Sequence, residues 1–249
     1  MQTKGGTSRQ GTLYIVATPI GNLEDITLRA INTLRFVSLI GCEDTRHSLK
    51  LLNHLDIHTP LLSCRAQNEL VAAKRIIGAL QEGKDVAYIS DAGTPAVSDP
   101  GARLCNSVRE AGFNISPIPG ASGITSLVSV SSITGKSFTF LGFLTPKGAK
   151  RKKILEEYMD REDSIIIYES PYRLIKLIQD IADIDSNRTI FVGREITKTH
   201  EEFIEGEAKK VLDLLSTHGT IKGEFIVQIS SKKNVKVFEN SSDSREDEG

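Results

Sequence analysis

The sequence predicts an α/β protein built as two successive units, and three observations carry that prediction. Short apolar runs alternate with amphipathic stretches through the first half of the 249-residue chain, the pattern of a largely parallel sheet with helices on both faces. The segment Pro117-Ile-Pro-Gly-Ala-Ser-Gly123 then breaks that alternation, and a second series of strands and helices begins beyond it. Within the first series lies Ser90-Asp-Ala-Gly-Thr-Pro-Ala-Val-Ser-Asp-Pro-Gly101, a loop of small and turn-forming residues. It follows an apolar run, and the C-terminal ends of strands are where open α/β sheets hold their ligands.

In the first unit, Leu13–Thr18, Val37–Glu43, Val86–Ser90 and Asn114–Ile118 read as strands. Thr27–Arg35, Thr45–Leu55, Glu69–Glu82 and Ala102–Ala111 read as the helices between or after them, the last closed by Gly112. A junction is expected at about 119–136. The second unit has strands near Phe138–Gly142, Ile165–Tyr168, Thr189–Gly193, Glu202–Glu205 and Glu224–Ile229, separated by helices at about 148–159, 172–183 and 207–216. This sets domains at 11–120 and 121–234, between polar tails at 1–10 and 235–249 whose composition cannot supply a core.

Composition narrows the function classes. A content of 39% hydrophobic and 25% charged residues is that of a soluble globular protein. No apolar stretch approaches a membrane span, and the N-terminal residues lack the apolar region of a signal peptide. Cys42, Cys64 and Cys105 are widely spaced, as expected for reduced thiols in the cytoplasm. The net charge of -1 announces no nucleic-acid partner. Any RNA contact must therefore come from local patches.

Several corners carry chemistry. Thr18-Pro-Ile-Gly-Asn-Leu-Glu-Asp-Ile-Thr27 offers backbone amides at a helix N-terminus but is neither a G-x-G-x-x-G fingerprint nor a P-loop. Glu43-Asp-Thr-Arg46 ends a strand; its acids could serve as acid and base, or the group could be an exposed ion-pair cluster. Gln67-Asn-Glu69 stands at a helix start, where a carboxylate also suits the dipole. His54 and His58 have helical ligand spacing, but Pro60 ends the element and no third ligand is near, so no metal is expected. Lys147-Gly-Ala-Lys-Arg-Lys-Lys153 sets five cations at a helix start, against the dipole, which favours a phosphate-gripping patch. Tyr168-Glu-Ser-Pro-Tyr-Arg173 repeats the arrangement of an acid and an arginine at a strand tip.

Taken in order, these pieces resemble one family. Leu13 through Arg29, Glu43-Asp-Thr-Arg46, Ser90–Gly101, Pro119-Gly120, Tyr168-Glu-Ser-Pro171, Arg194-Glu-Ile-Thr-Lys198 and Lys222-Gly-Glu224 are similar to the ribosomal RNA small subunit methyltransferase I family of tetrapyrrole-methylase-like proteins. The likeness spans about residues 11–230. It implies two αβα domains with S-adenosylmethionine (SAM) in the cleft between them, a homodimer, and 2′-O-methylation of a cytidine in the decoding centre of 16S rRNA within the small ribosomal subunit. Carried onto matching positions, Asp91, Ala92, Gly93, Thr94, Pro95 and Val97 would line the cofactor, with Ser122, Tyr168 and Gly223 completing its pocket and Pro19 closing the floor.

Two positions depart from the family pattern. A histidine-rich Ser-Tyr-His-Glu-His-Asn-Glu stretch is here Ser63-Cys-Arg-Ala-Gln-Asn-Glu69, so a base must lie elsewhere or be dispensable. The usual Pro-Gly-Pro-Ser-Ala is Pro119-Gly-Ala-Ser-Gly123. An acid at a strand tip could take the proton of a ribose hydroxyl, which makes Glu43 or Asp44 the candidate base, with Glu69 behind them, while Arg46, Asn68, Lys147, Lys150, Arg151 and Arg173 are candidates for substrate contacts. Two rival functions remain: C-methylation of a tetrapyrrole on the same fold, and a ribosome-assembly factor without turnover.

Overall fold

The structure is a computed structural model that describes residues 9–217 and 221–232. The expected tails, 1–10 and 235–249, lie outside the described residues apart from Arg9 and Gln10. The chain divides after Ser122 into two compact units.

The first unit carries β1 (Thr12–Val16), α1 (Leu28–Phe36), β2 (Leu39–Cys42), α2 (Thr45–His54), β3 (Leu61–Ser63), α3 (Glu69–Gln81), β4 (Val86–Ile89), α4 (Ala102–Glu110) and β5 (Asn114–Ile118). The strands form one sheet in the order β3-β2-β4-β1-β5, and every neighbouring pair is parallel. The central β4 shows why two helical layers are needed. All four of its side chains are buried, Ala87 and Ile89 in one cluster and Val86 and Tyr88 in another. The first cluster takes Ala30 and Leu34 of α1 and Leu52 of α2; the second takes Ala72, Ile76 and Leu80 of α3 and Leu104 and Val108 of α4. Alternation along a strand thus sends successive residues to opposite helical layers.

Helix starts in this unit are set by side-chain caps. The Thr27 hydroxyl accepts from the Ala30 N–H at 3.1 Å to open α1, and the Asp44 carboxylate accepts from the Arg46 N–H at 2.9 Å to open α2. Because all five strands run the same way, the five loops that follow them emerge at one edge of the sheet.

The second unit contains α5 (Gly123–Val130), β6 (Phe138–Phe143), α6 (Gly148–Met159), β7 (Ser164–Glu169), α7 (Leu174–Ile184), β8 (Thr189–Arg194), β9 (Glu202–Glu207), α8 (Ala208–Thr217) and β10 (Phe225–Ile229). Its sheet order is β6-β7-β10-β8-β9. Only β6 and β7 pair parallel; β10 is antiparallel to both β7 and β8, and β8 to β9. The short connection from Arg194 to Glu202 has no room for a crossover and dictates an antiparallel pair. Helices α6, α7 and α8 share one core with Ile165, Ile167, Ile190, Val192, Val227 and Ile229. On the opposite face, α5 packs close: a Cβ on Gly193 would come within 2.6 Å of Leu127 Cδ1, and one on Gly123 within 2.6 Å of Ile226 Cδ1.

Two elements were not anticipated. Strand β3 has three half-buried residues, too few to show a period. Helix α5 begins directly after the Pro/Gly break and contains Ile124, Thr125, Val128 and Val130, whose branching disguises a helix.

Candidate functional site

At the strand-tip edge of the first unit, the loop after β4 is tied to its neighbours on both sides. Thr18 and Gly93 exchange backbone hydrogen bonds of 2.9 and 3.0 Å, and the Thr18 hydroxyl also donates to Ser90 O at 3.2 Å. The Thr94 hydroxyl donates to Ala121 O at 3.3 Å, linking the same loop to the segment after β5. The Ser90 hydroxyl closes the turn internally on the carbonyls of Ala92 and Gly93. Pro19, Gly93 and Pro95 are buried, Asp91, Thr94 and Val97 are half-buried, and Ala92 is exposed.

The loop is also strained. Ala96 and Ser98 adopt left-handed φ values of 66° and 67°, costly for residues with a Cβ. Gly101 has φ 135°, and a Cβ there would lie 2.9 Å from Tyr88 Cε1. Strain held in place by surrounding hydrogen bonds is a mark of a pre-organised binding loop.

An acidic corner sits beside this loop. The Asp44 N–H donates to Asp91 Oδ1 at 3.2 Å, joining the tips of β2 and β4. Burial, then the carboxylates of Asp91 and Asp99, push the Glu43 carboxyl above the ordinary range, while Arg65 pulls it back. Burial and Asp91 likewise raise Asp99. Asp44 moves the opposite way, held down chiefly by the Arg46 N–H that it accepts. The two candidate bases are thereby separated. Asp44 is committed to capping α2, whereas Glu43 is a half-buried carboxylate whose proton affinity is increased, the property expected of a base working near neutrality.

Glu69 departs from the expectation of a reserve base. It is 5% exposed, and its Oε1 accepts from the N–H groups of Gly101 and Leu104, both at 3.0 Å. The carboxylate anchors the end of the strained loop and the start of α4. Its spacing from Ala72, Ala73, Ile76 and Leu80 puts it on the buried face of α3, a signal present in the sequence. Asn68 is equally occupied: Oδ1 accepts from Arg65 N at 2.6 Å and Nδ2 donates to Ser63 O at 3.2 Å.

Among the cations, Arg46, Lys147 and Lys150 are exposed. Arg151 is not available as a surface contact. It is 2% exposed and pairs with Asp180 of α7 at 2.7 Å, because Arg151, Leu155 and Met159 share the inward face of α6. Arg173 is half-buried, 2.6 Å from the buried Glu169, and donates to Leu144 O at 3.3 Å. His58 lies outside α2, 2.9 Å from Asp56, so the two histidines do not share a helix face.

In the second unit Tyr168, next to last in β7, packs edge-on to Phe140 at 4.9 Å; its hydroxyl lies 3.4 Å from where a Gly123 Cβ would stand. Gly223 precedes β10 with φ 109°, and a Cβ there would meet Glu195 Cγ at 2.7 Å. That close approach is fixed by Glu195, which accepts from the Glu224 N–H at 2.9 Å and from Lys198 at 2.9 Å. Three features escaped sequence reasoning: the Thr18–Gly93 bridge, Asp99 within the acidic corner, and Arg65, whose Nε donates to Glu43 O at 3.2 Å. The first two need tertiary placement. Arg65 was visible only as a departure from a family pattern.

The family model of the Tetrapyrrole (Corrin/Porphyrin) Methylases matches residues 12–212. A Ribosomal RNA small subunit methyltransferase I from Halalkalibacterium halodurans is 45% identical over 216 residues, 87% of this chain and 74% of that protein. Proteins of the same name from Thermotoga maritima and Bacillus subtilis are 43% and 41% identical; they align over 90% and 94% of this chain, and over 100% and 80% of their own lengths. Among solved structures, uroporphyrin-III-C-methyltransferase from Thermus thermophilus superposes with a TM-score of 0.63 at 17% identity, covering 89% of this chain and 94% of that one. A cobalt precorrin-4 methyltransferase gives 0.64 at 16%, covering 87% and 94%. At such identities the structural likeness concerns the fold.

Proposed function

Since this chain belongs to the tetrapyrrole (corrin/porphyrin) methylases, we propose that it transfers a methyl group from SAM to the ribose 2′-hydroxyl of a cytidine in the decoding centre of 16S rRNA. The observation that carries the reading is the identity of 41–45% over about nine-tenths of the chain to relatives named for the small-subunit RNA. Identity to the macrocycle-methylating structures is 16–17%. This contrast favours RNA over a tetrapyrrole as substrate. A homodimer working on small subunits in the cytoplasm completes the proposal.

The first unit's edge fits the proposed cofactor. Small residues run from Asp91 to Val97, with Ala92 and Ala96 exposed, and Pro19 follows Thr18, which is bridged to Gly93. Glu43, Asp91 and Asp99 supply negative charge that suits a sulfonium cation. When bound, SAM supplies an already activated methyl group, so the protein's main tasks are alignment and exclusion of water. Glu43 would accept the proton that the 2′-hydroxyl gives up. Asp44 and Asp91 keep the two strand tips in register through their hydrogen bond. Arg46, Lys147, Lys150 and Arg173 are assigned to RNA phosphates.

The test is transfer of labelled methyl from SAM to unmodified small subunits, run beside a uroporphyrinogen substrate. Label in the RNA alone is expected; label in the macrocycle alone would replace this reading with the tetrapyrrole one. Tight SAM binding without any transfer would favour the assembly factor.

A further inference from the structure

The acidic corner that suits a sulfonium is a poor host for RNA. Glu43, Asp44, Asp91 and Asp99 gather at the tips of β2 and β4, and a ribose delivered there brings a phosphate on either side. Like charges at this range oppose docking, so some cation must stand at the same corner. One does. Arg65, in the turn between β3 and α3, donates from Nε to the Glu43 carbonyl at 3.2 Å. Its charge acts on both Glu43 and Asp44.

The turn that carries Arg65 is built to hold it there. Asn68 Oδ1 accepts from the Arg65 N–H at 2.6 Å, the Asn68 N–H donates back to Arg65 O at 3.0 Å, and Asn68 Nδ2 ties the turn to Ser63 O. The side chain is nevertheless exposed, and its terminal nitrogens make no hydrogen bond or ion pair among the described residues. A guanidinium fixed at Nε and open at its two remaining nitrogens is the geometry of a phosphate fork. Arg46, exposed on the first turn of α2, faces the same Asp44.

We propose that Arg65 is a positioning residue for the RNA: it braces the Glu43 corner and presents its free nitrogens to a phosphate flanking the target ribose. This inference rests on the proposed ribose methylation.

The groups facing Glu43 are Asp91 and Asp99 from the loop after β4, Asp44 beside it, and Arg65 from the β3–α3 turn. Only Arg65 among them favours the ionised carboxylate. Its removal therefore moves the acid limb of the rate profile toward higher pH, an effect that a purely structural role would not produce.

The experiment compares the full-length wild-type protein with Arg65→Gln and Arg65→Lys in methyl transfer to unmodified small subunits, over a range of pH and salt, with SAM binding measured in parallel. For Arg65→Gln we expect a KM for subunits raised about tenfold and a log–log salt slope smaller by about 0.7–0.9, the loss of one phosphate contact. We also expect an acid limb shifted upward and SAM affinity within about twofold of wild type. Arg65→Lys, which keeps the charge, should restore the limb and part of the KM. Wild-type KM, salt slope and acid limb in Arg65→Gln would overturn the inference, and so would loss of SAM binding in both variants, since that marks a folding role. A wild-type protein that fails to methylate subunits would instead overturn the functional reading itself.

Discussion

Replacing Glu69 separates its structural role from a catalytic one. Its buried Oε1 is the shared acceptor for the N–H groups of Gly101 and Leu104, at the junction of the strained loop and α4. Glu69→Ala leaves two buried donors unpaired, each costing about 1–3 kcal/mol. It also removes an anion from a helix N-terminus, worth about 0.3–2 kcal/mol. Water entering the gap recovers part of this, and the expected loss is about 3–5 kcal/mol. For a protein of this size that corresponds to a fall of roughly 6–20 °C in the melting temperature. Glu69→Gln keeps an acceptor oxygen and should lose about 1–2 kcal/mol. The assays are thermal and urea unfolding, with SAM titration and the methyl-transfer rate at saturating substrates. Glu69→Gln should bind SAM more weakly, because the loop's far anchor is loosened, yet retain its maximal rate. A Glu69→Ala protein less than about 1 kcal/mol below wild type would refute the anchoring argument. A Glu69→Gln protein of normal stability with a rate reduced a hundredfold would restore Glu69 as a base.

Other outcomes follow from the same geometry. Glu43→Gln should lower the methyl-transfer rate by about 10²–10⁴-fold, read in single-turnover kinetics. Its effect on stability has the opposite sign. With the folded-state pKa raised, the folded protein holds this proton more tightly than the unfolded chain, so stability falls as pH rises from the ordinary carboxylate value through the raised one. Glu43→Gln should therefore unfold later than wild type at neutral pH and lose that advantage in acid. Gly101→Ala combines a φ of 135° with a Cβ 2.9 Å from Tyr88 Cε1, and should cost about 2–4 kcal/mol in denaturant unfolding while weakening SAM binding. Arg151→Ala removes the buried partner of Asp180 and leaves it only the exposed Lys176 at 3.3 Å, which should cost about 3 kcal/mol, whereas Lys150→Ala should leave stability within about 0.5 kcal/mol of wild type and weaken only RNA binding.

Much of this protein was legible before its structure. The β-α alternation gave the first unit's parallel sheet because β1, β2 and β4 each carry apolar runs and the helices between them keep a 3.6-residue period. What escaped has physical causes. Strand β3 owes its existence to pairing with Ile40, Gly41 and Cys42 of β2, not to its own three residues. The antiparallel pairing of β10 depends on two strands distant in sequence. At the site, the loop after β4 announced itself through composition, whereas its strain at Ala96 and Ser98 did not, since alanine and serine rarely adopt positive φ. Glu43 and Asp44 are neighbours of the same residue type, and only burial and partners distinguish a raised carboxylate from a helix cap. Charge density misled at Arg151. Five cations in seven residues suggested a continuous surface patch, yet the helical period turns one of them inward onto Asp180.

The central claim is ribose methylation of small-subunit RNA, and its most direct test is to map the product. Small subunits lacking the modification are incubated with the protein and labelled SAM, and the RNA is digested and analysed by mass spectrometry. One labelled nucleoside is expected, a 2′-O-methylcytidine from the decoding region, formed at least about a hundredfold more slowly when Glu43→Gln replaces the wild type. Label on a base, or scattered over many nucleotides, would contradict it.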